Sequence, residues 1–196
     1  MPKQDKGVVR RVIVTPDKHF PLHDKKAIKV VCKAIEIVKP DTYIDLGDTG
    51  EWEHFSNHYC KTRHFIQGNH EVWLDNFVVR YPYLSHYKTE EALRIKERGY
   101  KYHPYFRRKL LKIGKLNFTH GHKTGMHHAK AHLSSYKESI MYGHTHDLQR
   151  YTDTGVGGTM SAWSLGCLKD IEKDEDWLRG NLTNWNHAFA IIDFYN

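Results

Sequence analysis

The chain has 196 residues, 39% hydrophobic and 13% aromatic, with 30 Lys and Arg against 23 Asp and Glu. That composition excludes a disordered polymer, and no apolar run approaches the ~20 residues of a membrane span. Three scattered cysteines, Cys32, Cys60 and Cys167, exclude a disulfide framework and fit no zinc ribbon.

Reduced thiols, together with the lack of an apolar stretch of signal-peptide length between Met1 and Thr15, lead us to expect a cytoplasmic protein. The net charge of +7 suits a solvated surface as well as attraction to phosphate-bearing ligands, because Lys and Arg are spread along the chain. The densest group, Arg107, Arg108, Lys109 and Lys112, falls in an expected strand.

In chain order, the β-branched run Val8 to Thr15 reads as a strand ending at Pro16. Asp24 is placed to cap a helix whose core face is Ala27, Ile28, Val31, Ala34, Ile35 and Val38, stopped by Pro40. Two more strands are expected at Asp41 to Gly47 and His64 to Gly68. Thr89 to Arg98 has a cap, an acidic first turn and basic residues before Gly99, which predicts a helix over that span. A hairpin turning near Gly114, a strand at Ser139 to Gly143, a strand pair joined through the Gly-rich turn near Gly157, and a last strand at His187 to Tyr195 complete the series. With no repeat, linker or composition break, residues 1–196 are read as one α/β domain with mixed sheets.

The chemistry lies just beyond the end of each strand. These ends deliver Asp17, Lys18 and His19, then Asp48, then Asn69 and His70, then His120 and His122, then His144 and His146. Ligands of open α/β sheets sit beyond the carboxyl ends of the strands, so these groups are expected to converge. Asp, Asn and His are oxygen and nitrogen ligands, suited to Mn, Fe, Zn or a similar ion rather than a thiolate site. There are too many for one tetrahedral ion. A pair of ions sharing a carboxylate uses them well and can activate water for displacement at phosphorus.

The ordered series Asp17-x-His19, Gly47-Asp48, Gly68-Asn69-His70-Glu71, His120-Gly121-His122 and Gly143-His144-Thr145-His146 resembles the calcineurin-like metallophosphoesterase superfamily, in particular its small phage and bacterial phosphodiesterase-like members. The resemblance implies a four-layer sandwich of two mixed β-sheets flanked by α-helices. It implies two divalent transition metals, manganese foremost, with Fe, Zn or Ni as alternatives. Asp17, His19 and His146 would bind the first ion, Asp48 would bridge, and Asn69, His120 and His144 would bind the second. A hydroxide bridging the ions would attack phosphorus, with His70 assisting the leaving group.

One stretch departs from the phosphoprotein phosphatases of this superfamily. Glu51 falls where their histidine-orienting Asp would be, and Trp52 replaces their phosphate-gripping Arg. Glu51 is therefore expected to orient His70. Lys18 and His122 are candidate substrate contacts. The segment around His127, His128 and His132 reads as a solvated helix start, with a substrate loop as the alternative. His54, His58 and His64 read as structural or surface groups, and Tyr151, Trp163, Trp177 and Trp185 as packing residues. The first expectation is a phosphodiesterase on nucleotide or cyclic-nucleotide substrates. A DNA or RNA nuclease, a protein or small-molecule phosphomonoesterase, and a non-catalytic scaffold remain open.

Overall fold

Consecutive residues of the first strand are buried on opposite faces, which sets the architecture. In β1 (Val8–Thr15), Val12 and Val14 pack into one apolar cluster and Ile13 into another, and all three are fully buried. A strand covered on both faces must lie inside a layered sheet. The computed structural model describes residues 7–49, 60–105, 110–172 and 178–195, and within them the layers are complete.

After β1 come helix α1 (Lys25–Val38), strands β2 (Thr42–Asp45) and β3 (Thr62–Ile66), helix α2 (Asn69–Arg80), a 3₁₀ segment at Pro82–Tyr87, the short helix α3 (Thr89–Ala92) and strand β4 (Tyr100–His103). The remaining elements are β5 (Leu111–Ile113), β6 (Leu116–Thr119), α4 (His128–Tyr136), β7 (Ile140–Tyr142), β8 (Leu148–Gly155), β9 (Gly158–Leu165) and β10 (Ala190–Tyr195). They form two five-stranded sheets, ordered β10-β1-β2-β3-β4 and β5-β6-β7-β9-β8. Each is mixed: β10 and β1 are antiparallel while β1 to β4 run parallel, and β6, β7 and β9 run parallel between two antiparallel edges.

Val12, Val14, Ile44, Leu46 and Ile66 of the first sheet meet Ile113, Phe118, Met141 and Leu165 of the second. Outside the first sheet, α1 contributes Val31 and Ile35 against Ile13 and Tyr43; outside the second, α4 contributes Ala129 and Leu133 against Ile140, Tyr142 and Ala162. The expected four-layer α/β sandwich of two mixed sheets is the fold observed. Among the described residues, no helix is long and apolar enough to cross a membrane.

The first helix begins and ends as expected. The Asp24 carboxylate accepts the Ala27 N–H at 2.7 Å, and Lys39 closes the far end at φ 46 before Pro40. The predicted helix over Thr89 to Arg98 is corrected: only Thr89–Ala92 is α-helical. The chain leaves the helix at Arg94, φ 50, and the Ile95 N–H reaches back to Glu90 O at 3.1 Å, which buries the Ile95 side chain. Tertiary burial of one isoleucine thus overrides a favourable local sequence.

Helix α2 has no amphipathic signal in the usual sense. It buries Glu71 and Val78 but exposes Trp73, Phe77 and Val79, so its core face is not apolar and its apolar face is not core. The histidine-rich segment is also corrected. It forms α4, and His128 and His132 are buried at 3% and 0% exposure rather than solvated. The His132 Nδ1–H donates to the His128 carbonyl, which leaves Nε2 to accept the His122 N–H at 3.2 Å; the His132 ring stacks on Tyr142 at 3.9 Å. Burial holds its pKa down at about 3, so it acts as a neutral acceptor shaping the loop after β6.

Candidate metal centre

The loops after β1, β2, β3, β6 and β7 meet at one end of the two sheets. His19 N–H donates to Asp48 O at 2.9 Å, His144 N–H to Asp17 Oδ2 at 2.8 Å, and His70 N–H to Asp48 Oδ1 at 2.9 Å. Each loop is thus tied to another through its own ligand residue. The loops also approach too closely to tolerate larger residues. A Cβ on Gly68 would collide with the Asp48 carboxylate, and one on Gly143 with that of Asp17. His19, Asp48, His144 and His146 all hold positive φ, between 48° and 73°. That conformation is unfavourable for non-glycine residues, and such strain gathers where side chains must converge.

All seven expected ligands are brought together. Asp17, His19 and His146 form one set and Asp48, His120 and His144 another, with the ligand atoms of each set lying within 4.8 Å of one another. A third set, His19, Asp48 and His70, shares His19 with the first and Asp48 with the second. Asn69 Oδ1 lies 2.9 Å from His120 Nε2 and 2.8 Å from His144 Nδ1, at the heart of the second set.

The donor chemistry fits bound cations. Asp17 Oδ1 and His146 Nδ1 are buried without a hydrogen-bond partner. The Nε2 atoms of His19 and His146 face each other at 3.0 Å. Burial drives the pKa of His19 down to about 4, of His144 to about 4 and of His146, with His19 beside it, to about 2. These imidazoles are therefore neutral at physiological pH and keep lone pairs for a metal. His120 Nδ1 donates to the Leu46 carbonyl at 2.8 Å, which fixes the ring and aims Nε2 at Asn69 and, at 3.2 Å, at Asp48 Oδ2.

His120 behaves differently from the other rings. Its burial opposes charge, but Asp48 and Asp17 outweigh that and raise its pKa to about 10. Burial, with Asp48 beside it, pushes the Asp17 carboxyl up, while His120 pulls it back. A cation bound beside Asp17 and Asp48 would compete with protonation of His120. Manganese added to the metal-free protein at pH 7 is therefore expected to release protons, and its affinity is expected to rise with pH from neutrality toward the pKa of His120. Titration in weak buffer with an indicator dye checks this. Binding that releases no proton would mean that these groups do not ligate it.

Several residues were not foreseen. Glu71, in the Gly68-Asn69-His70-Glu71 motif, is buried and accepts the N–H groups of Asp48, Thr49 and Gly68 at 2.9, 2.8 and 2.8 Å. It ties the second loop to the start of α2. The stretch after β9 is held by Leu168 N–H to Asp17 O at 2.9 Å, which brings the buried Lys169 to the cleft. Asn186 N–H donates to His146 O at 2.9 Å and sets the Trp185 ring 4.8 Å from that of His146. Trp185 is thus a cleft residue and not merely packing. Trp163 and Tyr151 do pack against the cores.

Two expected substrate contacts lie elsewhere. Lys18 is fully buried and paired with Asp45 at 2.7 Å, because an ammonium without water needs its carboxylate. His122 is half-buried beside His132 and Tyr136, off the cleft lining. His64 is a structural group, as expected, 2.8 Å from His103. Glu51, Trp52, His54, His58, Arg107, Arg108, Lys109 and Trp177 lie outside the described residues.

His19, Asp48, Asn69, His144 and His146 line an open cleft of about 1050 Å³. His70 stands at its edge, half exposed, with Nε2 3.8 Å from Asp48 Oδ2 and its ring 4.9 Å from that of His19.

The two-sheet sandwich with a cleft at the strand ends is a fold that the chain shares with solved structures of low sequence identity. Vps29 of Chaetomium thermophilum superposes with a TM-score of 0.54 at 12% identity, over 94% of this chain and 85% of that one. A single mutant of Vps29 from Entamoeba histolytica gives 0.53 at 14% identity, over 94% and 86%. In sequence the chain is similar to the Gene 54 proteins of Mycobacterium phages L5 and D29, each at 24% identity over 93% of this chain and 88% of the relative. No protein-family model matches the chain.

Proposed function

We propose that the protein is a dinuclear-metal-dependent phosphoesterase that cleaves phosphodiesters of nucleotide type. The observation that carries the reading is the pair of sets Asp17, His19, His146 and Asp48, His120, His144, linked by a third of His19, Asp48 and the half-exposed His70. Asp17, His19 and His146 would hold one ion, Asn69, His120 and His144 the other, and Asp48 both. Manganese is the first choice for both positions. Two such ions supply an activated water at neutral pH and neutralise the phosphate oxygens.

The protein's own groups then have separate tasks. Asp48 is fixed through Oδ1 by the His70 N–H, which leaves Oδ2 toward His120 and the cleft. Glu71 holds the loop that carries Asp48. His70, reachable from solvent, delivers a proton to the departing oxygen. Lys169 adds positive charge at the cleft wall.

A diester is favoured over a monoester by the charge available. Among the described lining residues, Lys169 is the sole Lys or Arg. A monoanionic diester needs less positive charge than a dianionic monoester. The filled ligand set and the placement of His70 speak against a scaffold that has lost its chemistry.

The test is hydrolysis of bis-p-nitrophenyl phosphate against p-nitrophenyl phosphate with manganese supplied. Preferential diester cleavage is expected. Monoester cleavage alone would move the reading to a phosphatase, and neither activity from a metal-loaded protein would sink it. A nuclease would show affinity for nucleic acid that falls steeply as salt rises; a small-molecule enzyme would not.

A further inference from the structure

The cleft is far larger than a phosphate group needs, since pockets of ~300–1,000 Å³ enclose whole organic ligands. One of its walls is aromatic and apolar without a folding reason to be so. Trp73, on the first turns of α2, is 61% exposed, yet its ring lies 4.7 Å from that of His70 and lines the cleft. Tyr87, 52% exposed, and Leu74, 42% exposed, also line the cleft, and Thr124 adds an exposed hydroxyl to the lining. The rings therefore run outward from the metal ligands in the order His19, His70, Trp73.

We propose that Trp73 is the specificity-determining platform of this site and that the group stacked on it is the nucleobase of the phosphoester substrate. The assignment rests on the phosphoesterase reading above. Three features favour a base over a hydrocarbon chain. The wall presents flat rings rather than an enclosed apolar channel. Its rings are open to water, at 61% exposure for Trp73 and 52% for Tyr87. It adjoins a centre built to hold phosphate, so a ligand that spans both carries an anionic and a planar part. Every base has a π-face, and stacking on an aromatic side chain contributes ~1–3 kcal/mol per base. Because Trp73 is exposed, its removal leaves no buried void and the fold is expected to persist.

The experiment is equilibrium binding to manganese-loaded protein of thymidine 5′-monophosphate, 2-deoxyribose 5-phosphate and inorganic phosphate. Wild type is expected to bind the nucleotide ~10–100-fold more tightly than the sugar phosphate, the fold-change matching one stacked base. Trp73→Ala should bring that ratio near unity. Trp73→Phe should keep most of it, and Phe77→Ala, on the same helix but outside the cleft lining, should keep all of it. A ratio near unity in wild type, or one that survives Trp73→Ala, overturns the platform while leaving the phosphoesterase intact. Failure of inorganic phosphate to bind the loaded protein overturns the phosphoesterase reading itself. A short oligothymidylate distinguishes the source of the base: a Trp73-dependent gain seen with the strand but not with the mononucleotide assigns the platform to nucleic acid and overturns the mononucleotide assignment.

Discussion

Asp48→Asn is expected to lower diester hydrolysis by on the order of 10²–10⁴-fold, the kinetic equivalent of the several kcal/mol that metal charge supplies, and to reduce bound manganese at the same time. Asparagine keeps the shape of the side chain and its acceptor for the His70 N–H, so the loop geometry at 2.9 Å has no reason to change. What it removes is the negative charge between the two ligand sets. Asp48 is 3% exposed. Burial alone would push its carboxyl up, but His120 beside it, with His70 and His19, holds it below the usual carboxylate range. It is thus held as an anion, as the proposed bridging role requires. Metal content by elemental analysis and turnover should fall together, with circular dichroism unchanged. Full metal content and full activity in this variant would end the dinuclear assignment.

His70→Ala should separate the two quantities that Asp48→Asn moves together. Loss of a general acid costs typically ~10²–10⁴-fold in rate, and here it should leave manganese content intact. The backbone N–H that fixes Asp48 survives the substitution. The size of the loss should depend on the leaving group. A p-nitrophenolate departs without a proton, whereas an alkoxide needs one, so the alkyl diester should lose more. Equal losses would assign His70 to stabilising charge rather than to proton transfer. A fall in metal content would make it a ligand, since His19, Asp48 and His70 also lie within reach of one cation.

The contrast between these two residues shows what the primary structure carries. Asp48 and His70 are both legible because each lies just past a strand, and backbone periodicity fixes where strands end. The same holds for Asp17, His19, Asn69, His120, His144 and His146. A parallel sheet presents all its carboxyl ends on one side, so strand order alone brings distant residues together. Glu71 stands in the same motif as His70, yet its role is not legible there, because its task is to bind three N–H groups at the junction of two loops. That task exists only once those loops meet.

The errors have a common origin. Lys18 sits between Asp17 and His19 in sequence, but its ammonium is buried and pairs with Asp45 at 2.7 Å. His128 and His132 are polar by composition, yet hydrogen bonds to Tyr142, Asp147 and the loop after β6 let α4 bury them. The exposed face of α2 hid that helix from any periodicity argument. By itself, then, the sequence determined the strand ends and the Asp, Asn and His side chains that follow them, because both arise from local pattern. Tertiary structure alone decided which polar groups satisfy one another, which lysine reaches the cleft and that a tryptophan stands beside His70, because those outcomes depend on contacts between segments that no local pattern relates.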